Sequence, residues 1–282
     1  MKTTVISSAS ASKILTMAFS FLFFILFTLS STAQLRKIEN NAFQKGEKLV
    51  YKMYYDSFVT GPVIAGECVF EIQKKGRVVA QRNTMHIIVN GYTKGAFNLF
   101  FKVRDRYETF LDEEAMIPWL FIRRVDEGGV TIKQDVHFNH YNNTTQFTNL
   151  QRNKTNVSSI PANTQDILSA IYYFRTLDFS KAKPGEGYPV VFTLDDTVYT
   201  TKVFYMGKEQ LKTSMGTFNT FKIKPMVLTG TVFKDPFPMM VWVTDDENRI
   251  PLFVKSEILV GSVKAELISY SGVKNPMKSK VK

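Results

Sequence analysis

Short runs of β-type sequence, separated by turn signals, follow one another along most of this chain from Gly46 onward. Residues 49–55 and 68–73 alternate in polarity and are rich in β-branched and aromatic side chains, and residues 74–77 have the composition of a hairpin turn. Regular spacing of this kind is typical of an all-β sandwich or barrel. Because 44% of the 282 residues are hydrophobic, the chain also has enough apolar material for a substantial core. We therefore predict a mainly β fold, as a single large curved antiparallel sheet or a barrel-like β domain.

One segment between two β series, residues 46–150 and 185–271, has helical periodicity instead. Asn163 can cap a helix, and Asp166 follows three residues later. Apolar residues then recur on one stripe of a helix: Ile167, Ala170, Ile171, Phe174 and Leu177. The pattern predicts one central helix over residues 163–178, packed on the sheet through Ile167, Ile171 and Phe174.

The N-terminal segment has the composition of a secretory signal. Lys2 and Lys13 precede an uncharged apolar run over residues 14–29, and small residues stand before a cleavage site after Ala33. We predict that residues 1–33 are a signal peptide cleaved after Ala33, and that the protein is exported to the periplasm or cell envelope. An uncleaved anchor is the alternative, but the run is shorter than the ~20 residues of a spanning helix. With no second run of such length, no integral membrane span is expected after cleavage.

The rest of the chain divides into a β-rich domain and its flanks. We predict the domain over residues 43–272, with a polar loop over 151–159, an N-terminal linker over 34–42 and a basic disordered tail over 273–282. Removing the signal segment takes away two Lys and no acidic residue, which lowers the formal charge from +11 to +9. A basic surface can attract nucleic acid, but export makes an anionic lipid or an acidic glycan the more accessible partner. No nucleic acid partner is therefore expected.

Side chains that could carry out chemistry do not form a recognisable motif. His137 and His140 are three residues apart, so on a strand they point to opposite faces, and His86 is remote in sequence. No G-x-S-x-G elbow, phosphate-binding loop or dinucleotide fingerprint occurs. The acidic pairs at residues 195–196 and 245–248 fit turns between strands, with glycan hydrolysis or calcium binding as the alternatives. The sequence predicts no catalytic residue, no metal site and no cofactor.

Three side chains are weak candidates for ligand binding. Trp119 and Trp242 could line a pocket, although aromatic residues on strands usually form core. Arg175 lies beside the apolar stripe of the helix, which fits either a buried pair with a carboxylate of the sheet or an exposed cation. Cys68 is the single cysteine, which excludes an intramolecular disulfide and a Cys-based metal site. We predict a buried core thiol, with a reactive thiol or an intermolecular disulfide as the alternatives.

Several local sequences together resemble one protein family. They are Gly-Glu-Lys-Leu-Val-Tyr at 46–51, Asp-Ile-Leu-Ser-Ala-Ile-Tyr-Tyr-Phe-Arg at 166–175, Gly-Thr-Phe-Asn-Thr-Phe-Lys at 216–222, Val-Trp-Val-Thr-Asp-Asp at 241–246 and Arg-Ile-Pro at 249–251. The set resembles the exported bacterial family catalogued as domain of unknown function 3108, over roughly residues 43–272. The resemblance implies an envelope protein built on a strongly curved antiparallel sheet. Because the family has no established activity, it supplies no catalytic residue.

Three functions remain open on these observations. The first is a non-enzymatic envelope protein that binds an apolar or amphipathic molecule, or a glycan, in the concavity of its sheet, since large curved sheets can enclose a ligand. The second is a carboxylate-dependent glycan hydrolase, which needs two acids about 5–10 Å apart facing one cavity. The third is a structural or partner-binding protein, which a concavity filled by side chains would favour. The sequence leaves the identity of a lipid or glycan ligand and the oligomeric state open.

Overall fold

The structure is a computed structural model that describes residues 34–57, 61–226, 238–258 and 261–281. The predicted signal peptide, residues 1–33, lies outside the described residues. Within the described residues the strands are β1 Lys48–Ser57, β2 Gly61–Ile72, β3 Arg77–Val79, β4 Arg82–Thr93, β5 Arg104–Asp112, β6 Pro118–Glu127, β7 Val130–Asn139, β8 Thr144–Asn149, β9 Lys154–Ser159, β10 Gly187–Leu194, β11 Thr197–Thr213, β12 Gly216–Pro225, β13 Met239–Thr244, β14 Pro251–Glu257 and β15 Ser262–Ser271. The helices are α1 Phe97–Phe100 and α2 Ile167–Arg175. Neither has the length and apolar content that crossing a bilayer requires.

All strands belong to one antiparallel sheet. Its order is β10-β11-β12-β13-β14-β15-β1-β2-β4-β5-β6-β7-β8-β9, and β3 pairs with β4 beside this path. Most neighbours in the sheet are also neighbours in sequence, because a turn sends each strand back along the previous one. There are two exceptions: β2 pairs with β4, because β3 folds back on β4, and β15 pairs with β1, which joins the last strand to the first. The predicted mainly β fold, with one large antiparallel sheet and a central helix packed on it, is confirmed.

The turns between strands fall on two opposite rims of the sheet, as antiparallel order requires. One rim carries the β4–β5 connection with α1 and the β6–β7 and β8–β9 turns, and we call it the α1 rim. The β10–β11 turn points in the same direction but lies against the middle of β6, β7 and β9. The opposite rim carries the β5–β6, β7–β8 and β11–β12 turns. We call it the tail rim, because the C-terminal segment packs there.

Helix α2 lies inside the curve of the sheet, against β5 and β10. It begins at Ile167, and not at 163, because Asn163 has φ 61° in the left-handed region and lies outside the helix. Asp166 is the N-cap: its carboxylate accepts from the backbone N–H groups of Leu168 (2.7 Å) and Ser169 (2.8 Å), while the Ser169 hydroxyl accepts from Asp166 N–H. The helix ends at Arg175, three residues before the predicted end.

The buried face of α2 is shifted from the predicted stripe. The residues that α2 buries are Leu168, Ser169, Tyr172 and Arg175. Ile171 is 38% exposed, and Ile167 and Phe174 are only half-buried. The prediction was therefore wrong for Ile171, whereas Ile167 and Phe174 do pack against core clusters. The most buried face lies one position further along, because its two polar residues find buried partners.

Three segments predicted to be irregular are ordered in the structure. The polar loop expected over 151–159 contains β9, whose six residues all pair with β8. The linker expected over 34–42 packs on the tail rim, where the Arg36 guanidinium donates to the carbonyls of Ala115 (2.9 Å) and Met116 (3.0 Å). These segments contain few apolar residues, and they are ordered by backbone pairing and by contacts with a turn that is remote in sequence.

The C-terminal segment is not a disordered tail over its described residues 273–281. The backbone N–H groups of Asn275 and Ser279 donate to the side chains of Asn248 (3.0 Å) and Asp246 (3.1 Å). Val281 N–H donates to a carbonyl at the start of β12 (2.8 Å), and Ser279 is buried. The prediction from charge alone was wrong, because backbone hydrogen bonds hold the segment in addition to surface contacts of its lysines, such as that of Lys278 with Glu247.

Candidate functional site

The sheet does not close on itself within the described residues, where β9 and β10 are its two edge strands. The chain between β9 and α2 pairs with the end of β10 next to the β10–β11 turn: Gln165 N–H donates to the Val191 carbonyl (2.8 Å) and Thr193 N–H donates back to Gln165 (2.9 Å). In the part of the sheet that the structure describes, no backbone ladder joins β9 itself to β10. We call this interval between β9 and the β10–β11 hairpin the seam.

Side chains of the β10–β11 turn hold the seam together. The Asp195 carboxylate accepts from the Arg123 guanidinium (2.8 Å) and from the Gln134 amide (3.1 Å), and the Asp196 carboxylate accepts from the Asn156 amide (2.6 Å). Both Asp residues have positive φ, 50° and 61°, as a two-residue hairpin turn requires and as Asp tolerates. The pair forms a turn, as predicted, and in addition ties the hairpin to β6, β7 and β9. We call these three contacts the clasp.

A small cavity lies under the clasp. Its apolar wall consists of Phe121, Val136, Phe147 and Val198, and its polar wall includes Gln134, Thr145, Ser158 and Thr193. Phe121, Val136 and Phe147 also belong to a buried apolar cluster that includes Leu168 of α2. The space that remains has room for about one water molecule. In this state, side chains fill the concavity at the seam.

A pair of carboxyl groups lies on the same inner face, between the seam and the α1 rim. Asp105 on β5 is opposite Gly91, which is opposite the half-buried Cys68. Burial and then a hydrogen bond with Glu127 raise the pKa of Asp105 to about 7, while Asp126 N–H donates to the same carboxylate (3.2 Å). Two carboxyl groups in hydrogen-bond contact are closer than the ~5 Å that separates the acids of a glycosidase. This pair therefore lacks the geometry of the predicted alternative, a glycan hydrolase.

Tyr107 and Arg123 continue this polar strip toward the clasp. They are cross-strand partners on β5 and β6, and the guanidinium carbon of Arg123 lies 5.9 Å from the centre of the Tyr107 ring. Burial raises the pKa of Tyr107 to about 12, so the phenol is protonated at neutral pH. The strip thus offers one guanidinium, one phenol and a carboxyl pair beside an apolar wall.

The two tryptophans that the sequence nominated do not line this cavity. Trp119 is 2% exposed, and its indole N–H donates to the carboxylate of Asp112 (2.8 Å) near the tail rim. Trp242 lies on the outer face of β13, because its neighbour Val243 points into the core. Its indole N–H donates to Glu209, and Lys222 lies over its ring. The structure does not bring the two rings together.

Arg175 forms a buried ion pair, which is one of the two arrangements predicted for it from the sequence. Its guanidinium makes two hydrogen bonds to Glu47, of 2.6 and 2.8 Å, and a third to the Asn248 carbonyl (3.1 Å). The rings of Phe43 and Tyr172 lie 5.2 and 5.3 Å away. The side chain is 2% exposed, so it has no face to offer a ligand.

Histidine and cysteine take separate, mostly structural positions. His86 Nε2 lies 2.6 Å from the Glu108 carboxylate, burial lowers the pKa of His140 to about 4, and His137 is exposed. Across the described ranges, no three His, Cys, Asp or Glu side chains are placed to hold a metal ion. Burial, and then the nearby charge of Asp105, raise the pKa of the Cys68 thiol to about 12, which opposes thiolate chemistry.

The residues that form the site are not apparent from the sequence. Arg123 lies between Ile122 and Arg124, and Gln134 lies between two charged residues, so local polarity does not show which face they take. The signal in the sequence is the alternation along β6 and β7. Phe121 and Val136 point inward, and Arg123 and Gln134 lie on the same inward face. A charged side chain on the inward face of a strand indicates a partner from elsewhere in the chain, which for Arg123 is Asp195.

Comparison with known proteins gives a family and a fold. The family model described as "Protein of unknown function (DUF3108)" matches residues 50–268, which is more than half of the chain. The chain belongs to this family. The resemblance expected from the sequence is therefore confirmed, and no curated protein matches the DUF3108 chain.

Three solved structures are similar to this DUF3108 chain. A β-barrel-like protein of domain of unknown function DUF1849 from Brucella abortus is 13% identical, with a TM-score of 0.53 over 84% of this chain and 99% of that one. A protein inferred to be exported, with a YmcC-like fold, from Bacteroides fragilis is 11% identical (TM-score 0.29; 84% and 100% covered). One inferred to be a lipoprotein, from Parabacteroides distasonis, is 9% identical (TM-score 0.30; 84% and 100% covered). The first likeness supports the fold alone.

Proposed function

We propose that this protein is a non-enzymatic binding protein of the bacterial envelope that takes the apolar part of an amphipathic molecule into its concavity through the seam. The observation that carries the proposal is the clasp. No backbone ladder joins β9 to β10 in the described sheet, and side-chain contacts of Asp195 and Asp196 hold the hairpin to β6, β7 and β9 instead.

Few contacts hold the hairpin at the clasp. The Asp195 side chain is 54% exposed and that of its partner Arg123 is 14% exposed, so opening this ion pair costs about 1 kcal/mol or more, at the upper end of the range for exposed pairs. Strand β10 is also held by the backbone hydrogen bonds of Gln165 with Val191 and Thr193. The β10–β11 hairpin can swing away when the clasp and this backbone pair open together, while the rest of the sheet stays paired.

Opening uncovers an apolar surface of the right chemistry. Phe121, Val136 and Phe147 form one wall, and Val198 moves away with the hairpin. Ligand sites for apolar molecules are lined in this way, with a few polar groups that fix orientation. Once Asp195 leaves, the Arg123 guanidinium is free to bind an anionic head group by paired hydrogen bonds. We therefore infer a ligand with an apolar tail and an anionic end.

The test locks the seam. Asn156→Cys with Asp196→Cys, in a Cys68→Ala background, is joined by a short cleavable bismaleimide, and binding of the fluorescent fatty acid cis-parinaric acid is titrated before and after. We expect saturable binding that is lost when the seam is joined and restored when the linker is cleaved. The matched control is Thr148→Cys with Thr155→Cys, a pair already opposed across β8 and β9; joining it should leave binding unchanged.

The filled concavity favours the structural or partner-binding role as the second candidate. Space for about one water molecule is what a protein without a ligand would show at this position. Equal binding with the seam joined and free, or no saturable binding, would contradict the proposal and favour this second role. Binding of neutral or acidic oligosaccharides in place of the fatty acid would move the ligand class from lipid to glycan.

A further inference from the structure

The short helix α1 presents three consecutive large apolar side chains to solvent. Leu99 is 84% exposed, Phe100 is 87% exposed and Phe101 is 46% exposed. Single exposed apolar residues are common on protein surfaces, but contiguous ones mark an interaction site. We call residues 99–101 the apolar tip.

The apolar tip is held by its neighbours. The Thr93 hydroxyl donates to the Asn98 side chain (3.0 Å), and Gly128 N–H donates to the Lys102 carbonyl (2.9 Å). The Phe101 ring lies so close to the β6–β7 turn that a Cβ on Gly128 would be 2.5 Å from it. Gly128 also has φ 55°, so two requirements select glycine there. These contacts fix the base of the tip, so the exposure of Leu99 and Phe100 is a feature of the fold.

Cations flank the apolar tip along the chain, and of the two acidic residues in the adjacent β6–β7 turn, Asp126 and Glu127, the second is hydrogen-bonded to Asp105. Lys102 and Arg104 are exposed directly after it, and Arg104 donates to the backbone carbonyls of Thr93 (3.2 Å) and Val103 (2.5 Å), which do not cancel its charge. Lys94, just before it, pairs with Glu67 (2.7 Å). The formal charge of the whole chain is +11, so the net charge of the protein has the same sign as the cations beside the tip.

We propose that the apolar tip and its flanking cations, Lys102 and Arg104, form a site that docks the protein on a membrane surface carrying anionic lipid headgroups. Leu and Phe side chains on a protruding turn can enter the boundary between headgroups and acyl chains, while Lys and Arg remain at the level of the phosphates. A protein partner would need a pocket matched to this projection, whereas a bilayer accepts it without one. The charge around the tip makes an anionic surface the occupant.

The position of the tip in the fold agrees with this role. It lies on the α1 rim, and the terminal segments pack on the opposite rim. Docking by the tip would therefore leave the terminal segments on the side away from the bilayer. The two proposals use different residues, so either can fail without the other.

The experiment measures vesicle binding by flotation, with the chain from Gln34 onward, which contains all of the described residues. Vesicles of phosphatidylethanolamine with phosphatidylglycerol are compared with vesicles of phosphatidylcholine. We expect binding to the anionic vesicles only, weakened about tenfold or more by Leu99→Ser with Phe100→Ser, and weakened also by Lys102→Glu. Phe100→Cys in a Cys68→Ala background, labelled with an environment-sensitive fluorophore, should shift its emission to the blue on the vesicles.

The residues for the matched controls lie away from the apolar tip. Val78 and Val157 are 69% and 70% exposed, so Val78→Ser with Val157→Ser removes apolar surface of the same kind. Lys212→Glu reverses an exposed charge near the tail rim. Anionic vesicle binding that is absent, or equal in the tip variant and the valine control, would overturn the proposal. So would self-association in sedimentation velocity that the tip variant removes without any vesicle binding, because the tip would then be an interface between copies of this chain.

Discussion

At the residue scale, Arg175 shows how one side chain can connect distant parts of a sheet protein. It is contributed by α2, and its guanidinium reaches Glu47 before β1 and the carbonyl of Asn248 in the β13–β14 connection. The two-point contact with Glu47 satisfies both carboxylate oxygens in a site that water does not enter. Such a pair adds less stability than its charges suggest, but each member makes the other tolerable.

We predict that Arg175→Met lowers the free energy of unfolding by about 3–5 kcal/mol, because it leaves the Glu47 carboxylate buried without a partner. Glu47→Gln combined with Arg175→Met should recover part of the loss, since the buried charge is then gone. Urea denaturation of the two single variants and the double variant measures this coupling. Arg152→Met, at an exposed position of the β8–β9 turn, is the control. A loss below about 1 kcal/mol for Arg175→Met would show that the pair is not essential.

Asp105 gives a pH-dependent prediction at the same scale. Its folded-state pKa of about 7 lies above the ordinary value for Asp, so between the two values the folded protein holds a proton that the unfolded chain has lost. The contribution of this carboxyl to stability therefore falls as pH rises through that range. Asp105→Asn should raise the free energy of unfolding by about 1 kcal/mol near pH 8 and have little effect near pH 4.

Thermal or urea melts at the two pH values test this, with the exposed Glu257→Gln as the control. The same gain from Asp105→Asn at both values would show that packing, and not the proton shared with Glu127, decides the effect. A loss at the higher pH would show that the ionised carboxylate stabilises the fold.

At the element scale, helix α2 marks the limit of what periodicity predicts. Its existence and its place between two β series follow from the sequence, but its boundaries and its buried face do not. A turn with a left-handed Asn163 and the backbone pairing of Gln165 with β10 keep residues 163–165 out of the helix, so the helix starts later than its predicted beginning. Its buried face includes Ser169 and Arg175, whose partners are Asp166 and the remote Glu47. A pattern of apolar residues does not reveal a buried face that contains polar residues.

Strand β9 and the clasp could not be predicted from the sequence, for related reasons. The strand is polar because its inner side meets the Asp196 turn, and only its pairing with β8 identifies it. Each clasp contact joins residues 40 to 72 positions apart. The strand order was accessible because each turn is local, whereas the site depends on curvature that brings β6 and β9 to the β10–β11 turn.

The corrected helix face predicts unequal effects of two similar substitutions. Leu168 is 4% exposed and packs with Val89 and Phe121, so Leu168→Ala should cost about 2–5 kcal/mol of unfolding free energy. Ile171 is 38% exposed, so Ile171→Ala should cost about 0.5 kcal/mol or less. Urea melts of both variants give the comparison. Equal losses, or a larger loss for Ile171→Ala, would restore the face that the sequence pattern indicated.

At the scale of the whole molecule, both ends of the described chain are fixed to the tail rim. Pairing of β15 with β1 joins the start and end of the sheet, and the segments outside these strands pack beside it. Arg36 ties the N-terminal segment to the β5–β6 turn, and Asn275 and Ser279 tie the C-terminal segment to the β13–β14 connection. The tail rim is thereby fastened at several points, whereas the apolar tip lies on the opposite rim.

This arrangement predicts that the C-terminal segment contributes to stability. Truncation after Gly272 removes the backbone hydrogen bonds from Asn275 to Asn248 and from Ser279 to Asp246, and the packing of Met277 on the cluster around Leu49 and Leu267. At about 0.5–1.5 kcal/mol for each hydrogen bond, together with the lost apolar contact, the free energy of unfolding should fall by about 2–4 kcal/mol. Lys278→Ala keeps these contacts and removes only a surface ion pair with Glu247, so it should change stability by less than about 0.5 kcal/mol. If truncation were as mild as Lys278→Ala in urea melts, the backbone contacts would carry no stability, and the tail would behave as its charge alone suggests.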